Sequence, residues 1–458
     1  MVDGARGILA AVATGFAEFP APAGRSSAGQ GASALSLGRG GFGAVDGDGP
    51  LGWDGYGLAR KRAAERTGVD ESVVCGRGVV GGRAAVFVAF EFGFLGGSVG
   101  TGTGARIVDA FTRARAERLP VVSLIATGGT RMQEGVPALR QLQLIARQAV
   151  LLRESGLPHI AVLREPTTGG VWASLGAGAD VVLAVRGAQV AFGGRRTRPV
   201  ATADDSAYTA EAQFAAGYVD EIVESEGELS GLVGEWMSHL ATSPVSAADV
   251  PRALGDLSPV ADGWSAVLRT RSPERPRAGA YLDDYFASRR ELRAGRAADG
   301  MLCGFGLRDD RAIAYAAQTG TATRPAGFRA ATRLVRTADR LGIPVLTLVD
   351  TPGAASDPDA EREGVGPALA ELFATIAATR VPVTTLVIGE GGSGGALALC
   401  STDRVWIAPN AYFSVIAPEL AAGILKRAPD DVPALAGQLR LRPHDLLELG
   451  VVDGIAEG

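Results

Sequence analysis

The chain has 458 residues, 47% of them hydrophobic and only 6% aromatic, with a net charge of −5. That length accommodates two domains of roughly 200 residues, each burying its own core, and the mildly acidic balance lacks the electrostatic footprint of a nucleic-acid or membrane-surface protein. Cys75, Cys303 and Cys400 are scattered and form no CxxC pair, which argues against a zinc ribbon or disulfide framework and fits a reducing compartment.

Taken in chain order, residues 1–50 open with a short predicted helix at 5–17. They then pass into Gly/Ser/Ala-rich sequence at 23–49, which holds too few large apolar groups to order itself; the whole stretch reads as a flexible N-terminal segment. The start shows no signal-peptide pattern, and no run approaches about 20 apolar residues, so a soluble, cytoplasmic protein is expected. An N-terminal domain follows over 51–240. Its predicted strands are 84–90, 121–126, 160–163, 180–185 and 190–192, separated by helices at 106–118 and 136–155. The next stretch, 241–300, carries Pro, Ser and charged clusters and reads as an interdomain connection. The C-terminal domain, 301–458, holds predicted strands at 312–316, 345–349, 383–388, 405–407 and 413–416. Strands and helices alternating at these lengths imply βαβ crossovers.

One passage is written twice. Leu119-Pro120-Val121-Val122-Ser123-Leu124-Ile125-Ala126-Thr127-Gly128-Gly129 returns as Ile343-Pro344-Val345-Leu346-Thr347-Leu348-Val349-Asp350-Thr351-Pro352-Gly353. Pro120/Pro344, Thr127/Thr351, Gly129/Gly353, Pro158/Pro382 and Gly170/Gly394 share one offset of 224 residues. Repeats drift, so the turns and glycines that stay in step are those the backbone geometry requires. The chain reads as two related α/β domains with glycine-rich turns at the ends of buried strands.

Gly100-Thr101-Gly102-Thr103-Gly104-Ala105 contains a formal GxGxxA, but the following strand ends Ile125-Ala126-Thr127-Gly128 without the acid a dinucleotide site needs on the ribose. No GK[ST] follows any glycine run, so a Walker A loop is excluded. The stretches 127–135 and 166–174 each set paired glycines where a strand ends and a helix begins. Free backbone N–H groups and the helix dipole there favour negative charge, and two such ends side by side form an oxyanion hole. Turn formation and close helix–strand packing explain the same glycines equally well. A counterpart at 389–397 supplies a second set of amides, which points to a reaction with two carbonyl partners.

Several motifs resemble a known family. Gly96-Gly97-Ser98-Val99-Gly100, TGGTRMQEG at 127–135, REPTTGGVWAS at 164–174 and AFGGRRTRP at 191–199 resemble the β subunit of bacterial acetyl-CoA carboxylase carboxyltransferase. RPAGFRAATRL at 324–334, GIPVLTLVDTPGA at 342–354, VIGEGGSGGALAL at 387–399, SVIAPE at 414–419 and LLELGVVDGI at 446–455 resemble the α subunit. The likeness spans roughly 50–240 and 260–458, in the order of fused acyl-CoA carboxyltransferases. It implies an α/β fold of two crotonase-type ββα superhelix domains in tandem, the first for an acyl-CoA thioester and the second for carboxybiotin.

By the same resemblance, amides at Gly129 and Gly170 hold the thioester oxygen as an enolate, with Gly128, Gly169 and Arg131 beside them. Those of Gly395 and Ala396, next to Gly394, hold the ureido oxygen of biotin. The deprotonated biotin nitrogen then takes the α-proton, which accounts for the lack of a His/Asp or Ser/His/Asp constellation. The cofactors implied are biotin on a separate carrier protein and a coenzyme A thioester as substrate. No Met-Lys-Met occurs, so biotin carboxylase and a biotin carboxyl carrier protein are the expected partners, with an obligate homodimer or higher oligomer. Neither nucleic acid, membrane nor metal is expected: the family's four-cysteine zinc ribbon is missing, and 292–300 and 318–323 also depart from its pattern. The rivals are a biotin-independent decarboxylase of a malonyl-type thioester, transfer to a non-CoA acceptor, and a non-catalytic homologue. Arg131, Arg195 and Arg196 suit a carboxylate or CoA phosphates, Glu390 and Glu419 flank the second glycine site, and His159 and His444 read as structural.

Overall fold

The computed structural model describes residues 4–22, 47–194, 205–241, 245–258, 260–293 and 299–458. The chain divides into two compact units, Met1–Phe214 with Glu221–Met237, and Ala215–Asp220 with Ser238–Gly458.

The first unit begins with α1 (Ala5–Val12), β1 (Thr14–Glu18) and α2 (Tyr56–Thr67). The hairpin β2 (Val73–Val80) and β3 (Arg83–Phe90) leads to α3 (Thr101–Glu117), β4 (Val121–Thr127), α4 (Gly135–Glu154) and β5 (His159–Thr168). After these come β6 (Val181–Val185), β7 (Val190–Ala191), α5 (Ala210–Ala215), β8 (Glu221–Val223) and α6 (Leu229–His239). Among the described residues the strands form one sheet in the order β1-β2-β3-β4-β5-β6-β8, with β7 on β5. β1, β2 and β3 pair antiparallel, and from β3 onward every pairing is parallel. β4 is buried along its whole length, the signature of a parallel strand covered on both faces.

The second unit repeats this plan. α7 (Gly263–Thr270), α8 (Ala278–Tyr285) and β9 (Ser288–Glu291) precede the hairpin β10 (Met301–Arg308) and β11 (Arg311–Gln318). Then follow α9 (Pro325–Leu341), β12 (Val345–Thr351), α10 (Pro358–Arg362), α11 (Val365–Ala378), β13 (Val383–Gly392) and α12 (Ser393–Leu397). The chain closes with β14 (Val405–Ile407), β15 (Tyr412–Ser414), α13 (Pro418–Ile424), α14 (Val432–Gln438), α15 (Pro443–Glu448) and β16 (Gly454–Ile455). The sheet order is β16-β14-β13-β12-β11-β10-β9, with β15 on β13. α3/α9, β4/β12 and β5/β13 coincide at the 224-residue offset, residue for residue.

Three expectations are adjusted. Residues 4–22 fold into the first unit: Ile8, Leu9 and Val12 are buried, Glu91 Oε2 accepts the Ala5 N–H at 2.7 Å, and β1 lies along the edge of β2. The stretch 241–300 is built into the second unit through α7, α8 and β9. Finally, α3 starts at Thr101, five residues before its predicted beginning, because its glycines serve packing. A Cβ on Gly104 would sit 2.4 Å from Gln141 Oε1 of α4.

His159 lies inside the first core, its Nε2 2.9 Å from Ser123 Oγ and its ring edge-on to Phe111. Burial, with Arg153 adding repulsion, pushes its pKa down to about 3. The folded chain thus binds this proton more weakly than the unfolded chain does. Stability is fully present above the ordinary value of 6.5 and is lost as pH falls from there toward 3, at about 1.4 kcal/mol per pH unit. We expect the urea midpoint to drop between pH 7 and 5, and His159→Gln to flatten that slope. An equally steep slope in the variant would remove His159 from the account.

Candidate active site in two glycine turns

In the first unit β4 ends at Thr127 and β5 at Thr168, so their glycine turns emerge side by side. A Cβ on Gly169 would stand 3.1 Å from Gly129 Cα, a tight approach, and its φ of +74° also favours glycine. Most of the amides here already have acceptors. Gly128 donates to Gly96 O at 2.8 Å, Gly129 to Thr127 Oγ1 at 3.0 Å, and Gly169 to Ala191 O and Phe192 O at 3.1 Å each. Gly170 and Val171 open the helical turn that follows, where N–H groups have no acceptor within the helix. Gly170 is part-exposed. Of these four glycines, Gly170 is the one that lies within the first helical turn.

Arg131 has a different place from the one expected. It is fully buried, and its guanidinium donates to Glu71 Oε1 at 2.5 Å, Ser98 O at 2.7 Å and Glu134 Oε1 at 3.2 Å. Its face lies over the Phe94 ring. Glu134 in turn accepts from Tyr56 Oη at 2.5 Å and from Thr101 N at 2.6 Å. Burial works against the charge on Arg131, but the Glu71 and Tyr56 interactions outweigh it and hold the group protonated. Burial likewise works against the Glu134 carboxylate, yet the Thr101 and Tyr56 hydrogen bonds keep its pKa below the usual range. Arg131 is the buried clamp of the turn rather than a surface cation for a ligand's phosphate. Sequence alone shows neither partner, since Glu71 and Tyr56 lie 60 and 75 positions away. Arg195 and Arg196 lie outside the described residues.

The second unit builds the same turn from β12, β13 and α12. Thr351 Oγ1 accepts the Gly353 N–H at 3.1 Å, as Thr127 does for Gly129. α12 is capped at Gly392, so Ser393, Gly394 and Gly395 carry N–H groups without an intrahelical acceptor. Ala396 is the first residue whose N–H reaches back to the cap. Of the expected pair Gly395 and Ala396, Gly395 lies in this first turn while Ala396 donates within the helix; Gly394 and Gly395 stand 224 residues after Gly170 and Val171. Gly394 is part-exposed with nothing within 4 Å of a Cβ, whereas a Cβ on Gly395 would lie 2.2 Å from Ala354 N. Beside the turn opens a cavity of about 710 Å³, lined by Gly300, Thr319, Thr321, Arg324, Ala354 and Ser356 among others.

Behind the turn, the ends of β12 and β13 carry the acids Asp350 and Glu390. Asp350 accepts from Arg275 Nη2 at 2.5 Å and Arg277 Nη1 at 3.3 Å, and its Oδ1 also takes the Glu390 N–H. Glu390 accepts from Tyr412 Oη at 2.7 Å and Arg271 Nε at 3.2 Å, and Arg271 continues to Glu419. That hydrogen bond holds the Glu419 carboxyl below its ordinary range. Glu390 and Glu419 thus form one ion-paired network with the arginine of the preceding segment. His444 is exposed on α15. The three thiols are buried, and burial pushes Cys303 and Cys400 up to about 12. Among the described residues no three His, Cys, Asp or Glu side chains are grouped to hold a metal ion, and no helix is long and apolar enough to cross a membrane.

Comparison with known proteins agrees with this architecture. The family described as acetyl co-enzyme A carboxylase carboxyltransferase-like matches residues 258–458. The chain is 39% identical over 421 residues to the acetyl-coenzyme A carboxylase carboxyl transferase subunits beta/alpha of Salinispora arenicola, covering 86% of this chain and 74% of that one. It is 34% identical to a probable biotin-dependent acyl-coenzyme A carboxylase beta3 subunit of Mycobacterium bovis, over 87% and 82% of the two chains. A solved structure of the transcarboxylase 12S, a hexamer with methylmalonyl-coenzyme A and methylmalonic acid bound, superposes with a TM-score of 0.77. It covers 99% of this chain and 87% of that one, at 23% identity, and shows the shared crotonase-type fold.

Proposed function

The chain belongs to the acetyl-CoA carboxylase carboxyltransferase family, and on that premise we propose that it moves a carboxyl group from carboxybiotin to the α-carbon of an acyl-CoA thioester. The observation that carries this reading is the pair of strand-to-helix turns at one offset, each presenting two successive amides without an intrahelical acceptor: Gly170 with Val171, and Gly394 with Gly395. The first pair suits a thioester oxygen as it takes on enolate charge. The second suits the oxygen of a cyclic urea. Biotin on its carrier supplies the carboxyl group and, once released from it, a basic nitrogen. The protein's part is to orient both oxygens and stabilise charge on them through amides that need no reorganisation. Open space around Gly394 and the adjoining cavity leave room for a ligand to reach the second pair.

A separate biotin carboxylase and carrier protein complete the system in this reading. The protein works as a homodimer or higher oligomer, which fits the large apolar side chains exposed near the turns. Met132 and Val136 are 71% and 74% exposed, and Val415 and Ile424 are 72% and 70% exposed; such patches mark interaction surfaces. With biotin carboxylase, biotinylated carrier, ATP, labelled bicarbonate and a panel of acyl-CoAs, label is expected in an acid-stable acyl-CoA product. Absence of label with every acceptor, alongside carrier-independent loss of CO₂ from malonyl-CoA, would replace the transferase by a decarboxylase.

A further inference from the structure

We infer that Gln318 is a positioning residue for the second amide pair, an inference that rests on the carboxyltransferase reading. Gln318 is the last residue of β11 and is fully buried. Its Nε2 donates to Gly395 O at 2.9 Å and reaches Thr323 Oγ1 at 3.4 Å. Its Oε1 is buried without a partner. A buried acceptor left unpaired is disfavoured, and a methionine of similar volume would avoid it. What the amide provides in return is the donor to Gly395.

That donor acts where the turn is held from two sides. Gly395 packs directly on the backbone of Gly353 and Ala354, and Gln318 fixes the carbonyl of the same residue. A trans peptide carries its C=O and the following N–H in opposite directions. Holding Gly395 O therefore fixes the Gly395–Ala396 peptide plane, which anchors the C-terminal side of the turn that carries the Gly394 and Gly395 amides. Gln318 also continues into the loop 319–323, which is stitched to the β12 turn by Thr323 N to Gly353 O at 3.1 Å and Ala355 N to Thr323 O at 2.9 Å. Thr319 and Thr321 of this loop line the cavity. One side chain thus ties the cavity wall to the amides, and small displacements of reacting groups have large kinetic effects.

The test uses the full chain with carboxylated carrier and the acyl-CoA that wild type accepts. Gln318→Met is expected to melt close to wild type, to keep its KM for acyl-CoA, and to lose about 10- to 100-fold in kcat. Gln318→Glu separates positioning from packing. Burial facing the Gly395 carbonyl holds its carboxyl protonated to higher pH than usual, and only the protonated form can donate to Gly395 O, so its relative activity should climb as pH falls, unlike that of Gln318→Met. Should Gln318→Met fail to fold, the pH profile of Gln318→Glu decides. Folded variants with wild-type kcat, or with parallel pH profiles, overturn the inference alone. A wild-type protein that transfers no carboxyl group overturns the functional reading and this inference with it.

Discussion

Gly395→Ala should lower carboxyl transfer by about 10²–10³-fold, the loss that follows removal of one oxyanion donor. The added methyl would lie 2.2 Å from Ala354 N and 2.7 Å from Gly353 C. Both are backbone atoms that cannot rotate away, so α12 and the β12 turn must part and the amides must move with them. A lower melting temperature should accompany the kinetic loss. Gly394→Ala provides the contrast: its methyl enters open space and the residue lies in a short helix, so folding should be unchanged or slightly improved. On the carboxyltransferase reading that methyl would narrow the approach to the second amide pair, and the expected effect is a raised KM for the carboxylated carrier. If Gly395→Ala transfers carboxyl at the wild-type rate, the charge-stabilising site lies elsewhere.

Arg131→Leu should cost about 3–5 kcal/mol of stability, because it leaves the buried carboxylates Glu71 and Glu134 without their counter-charge. Their exposures are 3% and 1%, so water cannot compensate. Arg131→Lys should fall between Leu and wild type, since one ammonium cannot span both carboxylates and Ser98 O as the guanidinium fork does. Urea denaturation at neutral pH measures both. A Leu variant within about 1 kcal/mol of wild type, the range of an ordinary surface pair, would overturn the buried-clamp reading of Arg131.

The parts of the fold legible in the sequence are those fixed by local pattern. β4 and β12 follow from apolar runs bounded by Pro and Gly, and the repeat offset brings out α9 and β13 as counterparts of α3 and β5. What the sequence hides depends on distant contacts. Gly102 and Gly104 look like loop residues, yet they open a helix because Glu71 and Gln141 occupy the space of their missing side chains. β1 and β9 carry little apolar alternation and become strands only because an edge is waiting for them. At the site, the motifs locate the turns correctly, but a glycine in a sequence does not reveal whether its N–H is engaged. Thr127 Oγ1 takes the Gly129 amide, and the Gly392 cap places the Ala396 N–H inside its helix.

The two outer strands bear on how a duplicated unit becomes a well-behaved protein. The repeated portion ends in each sheet at a hairpin, β2–β3 or β10–β11, whose outer strand would present a bare row of N–H and C=O groups. Such a row is a template for unwanted pairing with other chains. Each copy covers it with a further strand: β1 comes from before the first repeat, and β9 from the segment preceding the second. Both covers are short, four or five residues, and neither exposes a large apolar side chain. The duplication thus carries one self-association hazard twice, and in each copy a short strand from the segment ahead of the repeat removes it.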